Sequence, residues 1–297
     1  MRPMRQQAAR TAAELLREDP RVVIVLAEIS TDLFRDAVAV DPERVVNVGI
    51  MEQAMIGVAA GLAMEGFHPI VHTITPFLVE RPLEQIKVDF GYQELGGTFV
   101  SVGGANDYTS EGFTHHSPGD VQALLTIPGI RVVVPGSGPE VESLLRATSA
   151  SGGMTYLRTS IRSNDAAREV SFGRLEVVRR GAEATLVVAG PLLDRTLAAV
   201  VELDVTVLYA TTVAPFDGAT LRKVAGETPV IIAVEPFFEG TMAPLLTEAL
   251  SDRPARFASV GIPRSILRDY GEPEDHDREL GLDEAGIARR VRAALGR

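Results

Sequence analysis

A single acidic residue, Glu52, stands at the start of a stretch in which residues 54–63 carry only small and apolar side chains. A short expected strand, residues 45–48, and a glycine turn precede it. Because the stretch has almost no polar face, it predicts a buried helix over residues 51–64. A carboxylate there is costly unless it is protonated or paired, so Glu52 is a candidate acid–base group. A helix-start carboxylate stabilised only by the helix dipole fits the same pattern.

A long polar loop, residues 103–120, holds the next group of chemically useful side chains. It is rich in glycine and contains Glu111, His115 and His116. Long loops in compact α/β domains are usually functional, and histidine relays protons near neutral pH. Adjacent histidines rarely chelate one ion together, and no cysteine is present to supply a thiolate. We therefore predict an acid–base loop and no metal site in this chain.

The elements that must position these groups alternate between strand and helix. Buried apolar runs predict strands at residues 22–26, 69–73, 98–102 and 131–134. Helical spacing fills the gaps at residues 5–18, 83–92, 119–126 and 139–150. This alternation predicts a parallel sheet covered on both faces. His72 stands at the carboxyl end of a strand, where ligands bind in such sheets, and is a candidate substrate contact.

The apolar pattern lapses over residues 160–182, which we interpret as a linker. A second alternating set of strands and helices begins at Thr185. We therefore expect an α/β protein of two doubly wound domains, residues 1–170 and 171–297.

Composition narrows the function classes. The chain has 29 Lys and Arg against 40 Asp and Glu, for a net charge of −11. This balance disfavours nucleic acid and anionic membranes as partners. No apolar stretch is long enough to span a bilayer, and the N-terminal residues have no secretory signal pattern. We expect a soluble, cytoplasmic protein.

The segment NVGIMEQAMIGVAAGLA resembles the signature of the pyrimidine-binding domain of the transketolase family. The resemblance implies the cofactor thiamine diphosphate, and it implies that Glu52 binds N1′ of the aminopyrimidine and promotes activation of the thiazolium. TTVAPFD, VGIP and GLDEAGI resemble elements of the family's C-terminal domain. The expected fold is thus a pyrimidine-binding domain followed by a transketolase C-terminal-like domain. One departure is VEPFFEGTMAP, which replaces the family's usual histidine and glycine run.

Two further segments resemble family motifs around the cofactor. In HTITPFLVERPLEQIKVD, Phe77 matches the ring that stacks on the aminopyrimidine. Arg81 lies close to a substrate-facing arginine of deoxyxylulose-phosphate synthases, although the motif has one extra residue here. In EGFTHH, His115 matches the active-site histidine near the substrate carbonyl, and Glu111 stands where relatives carry an aspartate that contacts the donor. A core role for Phe77 and a surface role for Arg81 remain open.

MTYLRTS resembles the family strand that ends in an arginine for the substrate phosphate. Arg158 matches it, and a planar guanidinium binds phosphate in a bidentate manner. An interdomain salt bridge is the alternative for Arg158.

The family's GDG motif for the metal-held diphosphate does not occur in this sequence. The resemblance therefore implies a C-terminal portion encoded as a separate subunit. An N-terminal transketolase subunit would hold the diphosphate through Mg²⁺ or another divalent metal. The two subunits would share thiamine diphosphate in a heterotetramer.

The expected activity is transfer of a two-carbon ketol unit between sugar phosphates or a related acceptor. THH and LEQIKVD favour this transketolase branch. A 2-oxo acid dehydrogenase beta-like subunit, a split deoxyxylulose-phosphate synthase and a non-catalytic regulatory subunit on the same fold are the alternatives.

Overall fold

The computed structural model of the chain describes residues 1–227 and 229–297 and contains two β-sheets with flanking helices. The strands in chain order are β1 (Val22–Leu26), β2 (Val45–Asn47), β3 (His68–Ile74), β4 (Gly97–Val102), β5 (Arg131–Val133), β6 (Met154–Arg158), β7 (Leu175–Arg179), β8 (Ala184–Ala189), β9 (Val205–Ala210), β10 (Thr212–Ala214), β11 (Val230–Phe238) and β12 (Arg256–Ile262).

The helices are α1 (Met4–Glu18), α2 (Arg35–Val40), α3 (Glu52–Met64), α4 (Thr75–Val79), α5 (Leu83–Gln85), α6 (Asp120–Leu124), α7 (Gly138–Ala150), α8 (Leu193–Ala199), α9 (Gly218–Val224), α10 (Ala243–Ala249), α11 (Pro273–Leu280) and α12 (Glu284–Ala294). Helix α5 continues as a π-helix over Ile86–Tyr92, so the single helix expected at residues 83–92 is irregular.

The first sheet has the strand order β10-β5-β6-β4-β3-β1-β2 and is parallel except for β10. Strands β1 and β4 are buried at every position, as expected for inner strands of a parallel sheet, and β1 is apolar throughout. The parallel arrangement aligns the carboxyl ends of the strands at one edge of the sheet. The segments that carry Glu52, Phe77 and His115 follow β2, β3 and β4 and therefore leave the sheet at this edge.

The second sheet has the order β12-β11-β8-β9-β7, and only its edge strand β7 is antiparallel. The α/β fold class is confirmed. The linker expected at residues 160–182 is not free of regular structure, because β7 lies within it. Strand β10 pairs with β5, so residues from the second half of the chain complete the first sheet. One continuous apolar core includes Leu16, Ile24 and Leu144 as well as Val188 of the second sheet.

Helix α3 departs from the sequence expectation. Its inner face, with Met55, Ile56, Ala59 and Ala60, is buried as expected. The prediction of a wholly buried helix is wrong for this chain, because Gly57, Val58, Gly61 and Met64 on the opposite face are exposed. Ile50 and Met51, which precede the helix, are 65% and 59% exposed. A helix face that is apolar except for the exposed Gln53 thus lies uncovered beside Glu52. We call it the α3 face and define it by Ile50, Met51, Gly57, Val58, Gly61 and Met64.

A buried ion pair joins the two sheets. Arg158, at the end of β6, donates from Nε to Asp120 Oδ2 at 2.6 Å, and Tyr156 donates its hydroxyl to the same oxygen at 2.7 Å. The side chains of Arg158 and Asp120 are 1% and 0% exposed. Arg158 also donates from Nη2 to the carbonyl of Pro236 on β11 at 3.1 Å. The guanidinium therefore ties α6 and β6 to the second sheet.

We predict that Asp120→Asn lowers the free energy of unfolding by about 3 kcal/mol, because it leaves the guanidinium of Arg158 buried without a counter-charge. Denaturant unfolding of the full chain measures this change. Asp32→Asn is the matched control, since the Asp32–Arg35 pair is highly exposed and should contribute about 0.5 kcal/mol or less. Equal losses in the two variants would contradict the interpretation of the Asp120–Arg158 pair as a structural clamp.

Candidate active site

Glu52 is the first residue of α3 and is only 2% exposed. The turn before it is fixed by Asn47, whose Oδ1 accepts hydrogen bonds from the backbone N–H groups of Glu28 and Gly49, each at 3.0 Å. Gly49 has a φ of 74°, which a residue without a side chain adopts at no steric cost. This turn aims the carboxylate of Glu52 at the carboxyl edge of the sheet.

Arg81 is the partner of the Glu52 carboxylate. Its Nη1 donates to both Oε1 and Oε2 of Glu52 at 3.0 Å. Its Cζ lies 4.0 Å from the centroid of the Phe77 ring, so the guanidinium lies over that ring. Phe77 is half-buried on α4, which does not match a role as an ordinary core side chain. Glu52, Phe77 and Arg81 therefore meet in one place, although α3 and α4 are separate elements.

His115 completes this group from the polar loop. Its ring meets the Phe77 ring edge-on, with centroids 5.1 Å apart. Its Nδ1 lies 3.0 Å from Thr114 Oγ1, and the side chain is partly exposed. We call Glu52, Phe77, Arg81 and His115 the Glu52 cluster. The cluster brings together an acid, an aromatic face and an imidazole, which can bind a planar nitrogenous group and exchange protons with it.

The loop that carries His115 is anchored at its base. Ala105 and Ser117 form a β-bridge, and Ser117 donates its hydroxyl to Glu80 Oε1 at 2.7 Å. Glu80 directly precedes Arg81 in the chain. Glu80 therefore binds the loop, and the adjacent Arg81 binds Glu52.

The other two candidate side chains of this loop, His116 and Glu111, have different surroundings. His116 is buried and packs edge-on against His276, with ring centroids 5.6 Å apart. Burial, and then the neighbouring His276, lower the pKa of His116 to about 4. Glu111 is exposed on the same loop. Of the two histidines, only His115 has its ring against Phe77.

His72 does not join the cluster. It is 1% exposed, and its Nδ1 lies 2.8 Å from the carbonyl of Val100. Its Nε2 lies 2.8 Å from Ser30 Oγ, which already accepts from Arg5 and so donates its own hydrogen to His72. Burial lowers the pKa of His72 to about 4, so the ring is neutral near pH 7. The structure thus places His72 in the interior of the sheet, outside the Glu52 cluster.

Arg158 likewise lies apart from the cluster. The guanidinium that was expected to receive a substrate phosphate is buried against Asp120 and the carbonyl of Pro236. The salt bridge itself lies within the first expected domain, and only the hydrogen bond to Pro236 reaches the second half of the chain, so the arrangement differs from the interdomain salt bridge given as the alternative.

A neighbouring cavity of about 630 Å³ was not foreseen from the sequence. Arg5, Ser30, Tyr108, Ser160 and Ile161 contribute to its lining. Tyr108 also faces His115, with ring centroids 6.4 Å apart, so the cavity adjoins the Glu52 cluster. Arg5 lies in an arginine-rich first helix, where no sequence pattern distinguishes it from its neighbours. An arginine at a cavity can bind an anionic group.

Neither a metal-binding cluster nor a membrane-spanning helix is found in residues 1–227 and 229–297, the part of the chain that the structure describes. Within these ranges no three acidic or histidine side chains are grouped so that they could hold a metal ion. No helix in the same ranges is long and apolar enough to cross a bilayer.

Comparisons with known proteins agree on one family. Residues 1–164 match the family model described as transketolase, pyrimidine binding domain. An uncharacterized 33.6 kDa protein in the fasciation locus of Rhodococcoides fascians is 41% identical over 289 residues, which cover 96% of this chain and 93% of that protein. One of the subunits of the apulose-4-phosphate transketolase of Phocaeicola vulgatus is 30% identical over 292 residues, covering 94% of this chain and 93% of that protein.

A solved structure described as a split-gene transketolase, inactive beta4 tetramer, superposes with a TM-score of 0.84. It is 24% identical, and the match covers 99% of this chain and 98% of that one. The family model and the relatives lead to the same conclusion: the chain belongs to the transketolase family and aligns over nearly its whole length with a subunit of one of its members.

Proposed function

We propose that this chain is the smaller subunit of a heteromeric, thiamine-diphosphate-dependent transketolase-type enzyme that moves a two-carbon ketol unit between sugar phosphates or a related acceptor. The observation that carries the proposal is the Glu52 cluster, in which a buried carboxylate, a half-buried aromatic ring and a histidine converge. The family membership and the similarity to an apulose-4-phosphate transketolase support the same activity.

The residues present fit the aminopyrimidine half of thiamine diphosphate. The guanidinium of Arg81 is itself a planar, nitrogen-bearing group, and it both donates to Glu52 and lies on Phe77. An aminopyrimidine ring offers the same flat shape and ring nitrogens. Glu52 would hold a proton at N1′, and Phe77 would stack on the ring, adding about 0.5–1.5 kcal/mol beyond burial.

The chemistry that thiamine diphosphate supplies when bound is a carbon nucleophile that cleaves and forms the bond next to a ketose carbonyl. Glu52 contributes a buried acid that keeps the pyrimidine in the required protonation state. His115, which contacts Phe77, would give or take a proton at the substrate carbonyl oxygen. Glu111 is the proposed contact for a donor hydroxyl. Arg5, in the adjoining cavity, is the proposed contact for an anionic substrate group.

The α3 face supports a second subunit as partner. It is apolar, exposed and directly beside Glu52, and surfaces of this kind mark protein interfaces. The sequence lacks the GDG motif, so the diphosphate and its divalent metal would lie on an N-terminal transketolase subunit. We propose a closed heterotetramer of two such pairs, with each cofactor shared across an interface.

We predict that Glu52→Gln removes nearly all turnover of the reconstituted complex while leaving the fold intact, because the amide cannot hold the proton at N1′. The assay pairs a ketose donor with an aldose acceptor, and parallel assays with a 2-oxo acid and a lipoyl carrier or an aldehyde phosphate test the alternative reactions. Glu43→Gln, an exposed carboxylate, is the control. A Glu52→Gln rate within about tenfold of wild type, roughly 1.4 kcal/mol in barrier, would rule out this role.

We predict that His115→Ala lowers the turnover rate by a factor of about 100 or more, as loss of a general acid–base group does. His116→Ala should instead lower the melting temperature, because His116 is buried against His276. Steady-state rates and thermal unfolding of both variants separate the two roles. The reverse order of the rate losses would show that His116 is the acid–base histidine.

We predict that the chain alone binds thiamine diphosphate weakly and shows no turnover, because it supplies the pyrimidine contacts and not the diphosphate site. Calorimetry with cofactor and Mg²⁺, with and without the partner, measures this difference. Submicromolar binding by the chain alone, about 8 kcal/mol or more, would contradict the split-subunit assignment.

A further inference from the structure

We infer that Arg81 is a built-in competitor of the cofactor: in the cofactor-free protein its guanidinium occupies the place of the aminopyrimidine, and it must leave Glu52 and Phe77 before the cofactor can bind. The inference rests on the proposed function and adds a conformational step to it.

The first argument is the coincidence of contacts. One side chain occupies both features that define the pyrimidine site. Nη1 of Arg81 lies 3.0 Å from each carboxylate oxygen of Glu52, and Cζ lies 4.0 Å from the Phe77 centroid. A ring that accepted the same carboxylate and the same aromatic face would overlap the guanidinium. The two groups cannot be bound at once.

The second argument is the charge of Glu52. Its side chain is 3% exposed, and an ionised carboxylate at that depth is strongly unfavourable without a partner. Arg81 provides the partner in the absence of cofactor. When the aminopyrimidine binds, it satisfies the carboxylate by a hydrogen bond, and the need for the cation ends. The exchange therefore leaves Glu52 with a partner in both states.

The third argument is the freedom of Arg81 to leave. Its side chain is 45% exposed, in contrast to that of Glu52. It follows the end of α4, and its backbone N–H stays bonded to the carbonyl of Pro76 at 3.2 Å. The long side chain can therefore turn into solvent while the backbone stays in place. By comparison, Arg158 is 1% exposed and enclosed by both sheets, and it has no such path.

A double-mutant cycle on the full chain without cofactor tests whether the pair exists. Arg81→Met keeps an apolar stem over Phe77 and removes the charge. It should lower the midpoint of denaturant unfolding in the wild-type background and have a smaller effect in a Glu52→Gln background. Additive effects would overturn the inference, because they would mean that Arg81 does not bind Glu52 in solution.

Cofactor affinity tests the competition itself. We expect the complex reconstituted with Arg81→Met to bind thiamine diphosphate about threefold to tenfold more tightly than wild type, because no ion pair and no cation–π contact need be broken. Calorimetry with Mg²⁺ measures the dissociation constants. Arg81→Gln provides a second variant that keeps a polar side chain, and it should also bind more tightly. Arg10→Met, which removes an exposed arginine paired with Glu14, is the control and should match wild type.

The outcomes separate this inference from the proposed function. Unchanged or weaker binding by both Arg81 variants, with wild-type binding intact, would overturn the competitor role alone. Failure of the wild-type complex to bind thiamine diphosphate at millimolar concentration would overturn the proposed function, and the inference with it.

Discussion

A carboxylate buried at the start of an apolar helix must have a partner, and the placement of Glu52 sets much of the architecture around it. The inner face of α3 packs into the core, which fixes Glu52 at the edge of the sheet with 2% exposure. The partner comes from another element, since Arg81 follows α4. Phe77 and Glu80 on the same segment bring an aromatic face and the His115 loop to this carboxylate. The segments that follow β2, β3 and β4 thus meet around the Glu52 carboxylate, and Arg81 supplies its counter-charge.

Residues from the second half of the chain stabilise the sheet that carries the Glu52 cluster. Strand β10 completes the edge of the first sheet, and the guanidinium of Arg158 links Asp120 to β11. Asp120 begins α6, the helix that follows the His115 loop directly. Arg158 therefore holds both the end of the His115 loop, through Asp120, and strand β11 of the second sheet. Such a residue contributes to the site through positioning, without contact with a ligand.

The α3 face is exposed to solvent directly beside the buried carboxylate of Glu52. A helix that is apolar on all sides lowers its free energy when both faces are covered, and this chain covers only one. A partner on the second face would also close the open side of the Glu52 cluster to water. The proposed active site shared between subunits would therefore also account for the apolar composition of the helix.

The sequence by itself determined the α/β class, the family and most of the strands and helices, because these depend on local periodicity and on a motif of contiguous residues. It missed β7, β10 and α11, whose polar or short segments are ordered by their neighbours. Only the tertiary structure shows the surroundings of Arg158 and His72, since burial and hydrogen-bond partners come from distant segments. The stacking of Arg81 on Phe77 and the position of Arg5 at the cavity also depend on how distant segments pack. Residue spacing along the sequence therefore could not reveal them.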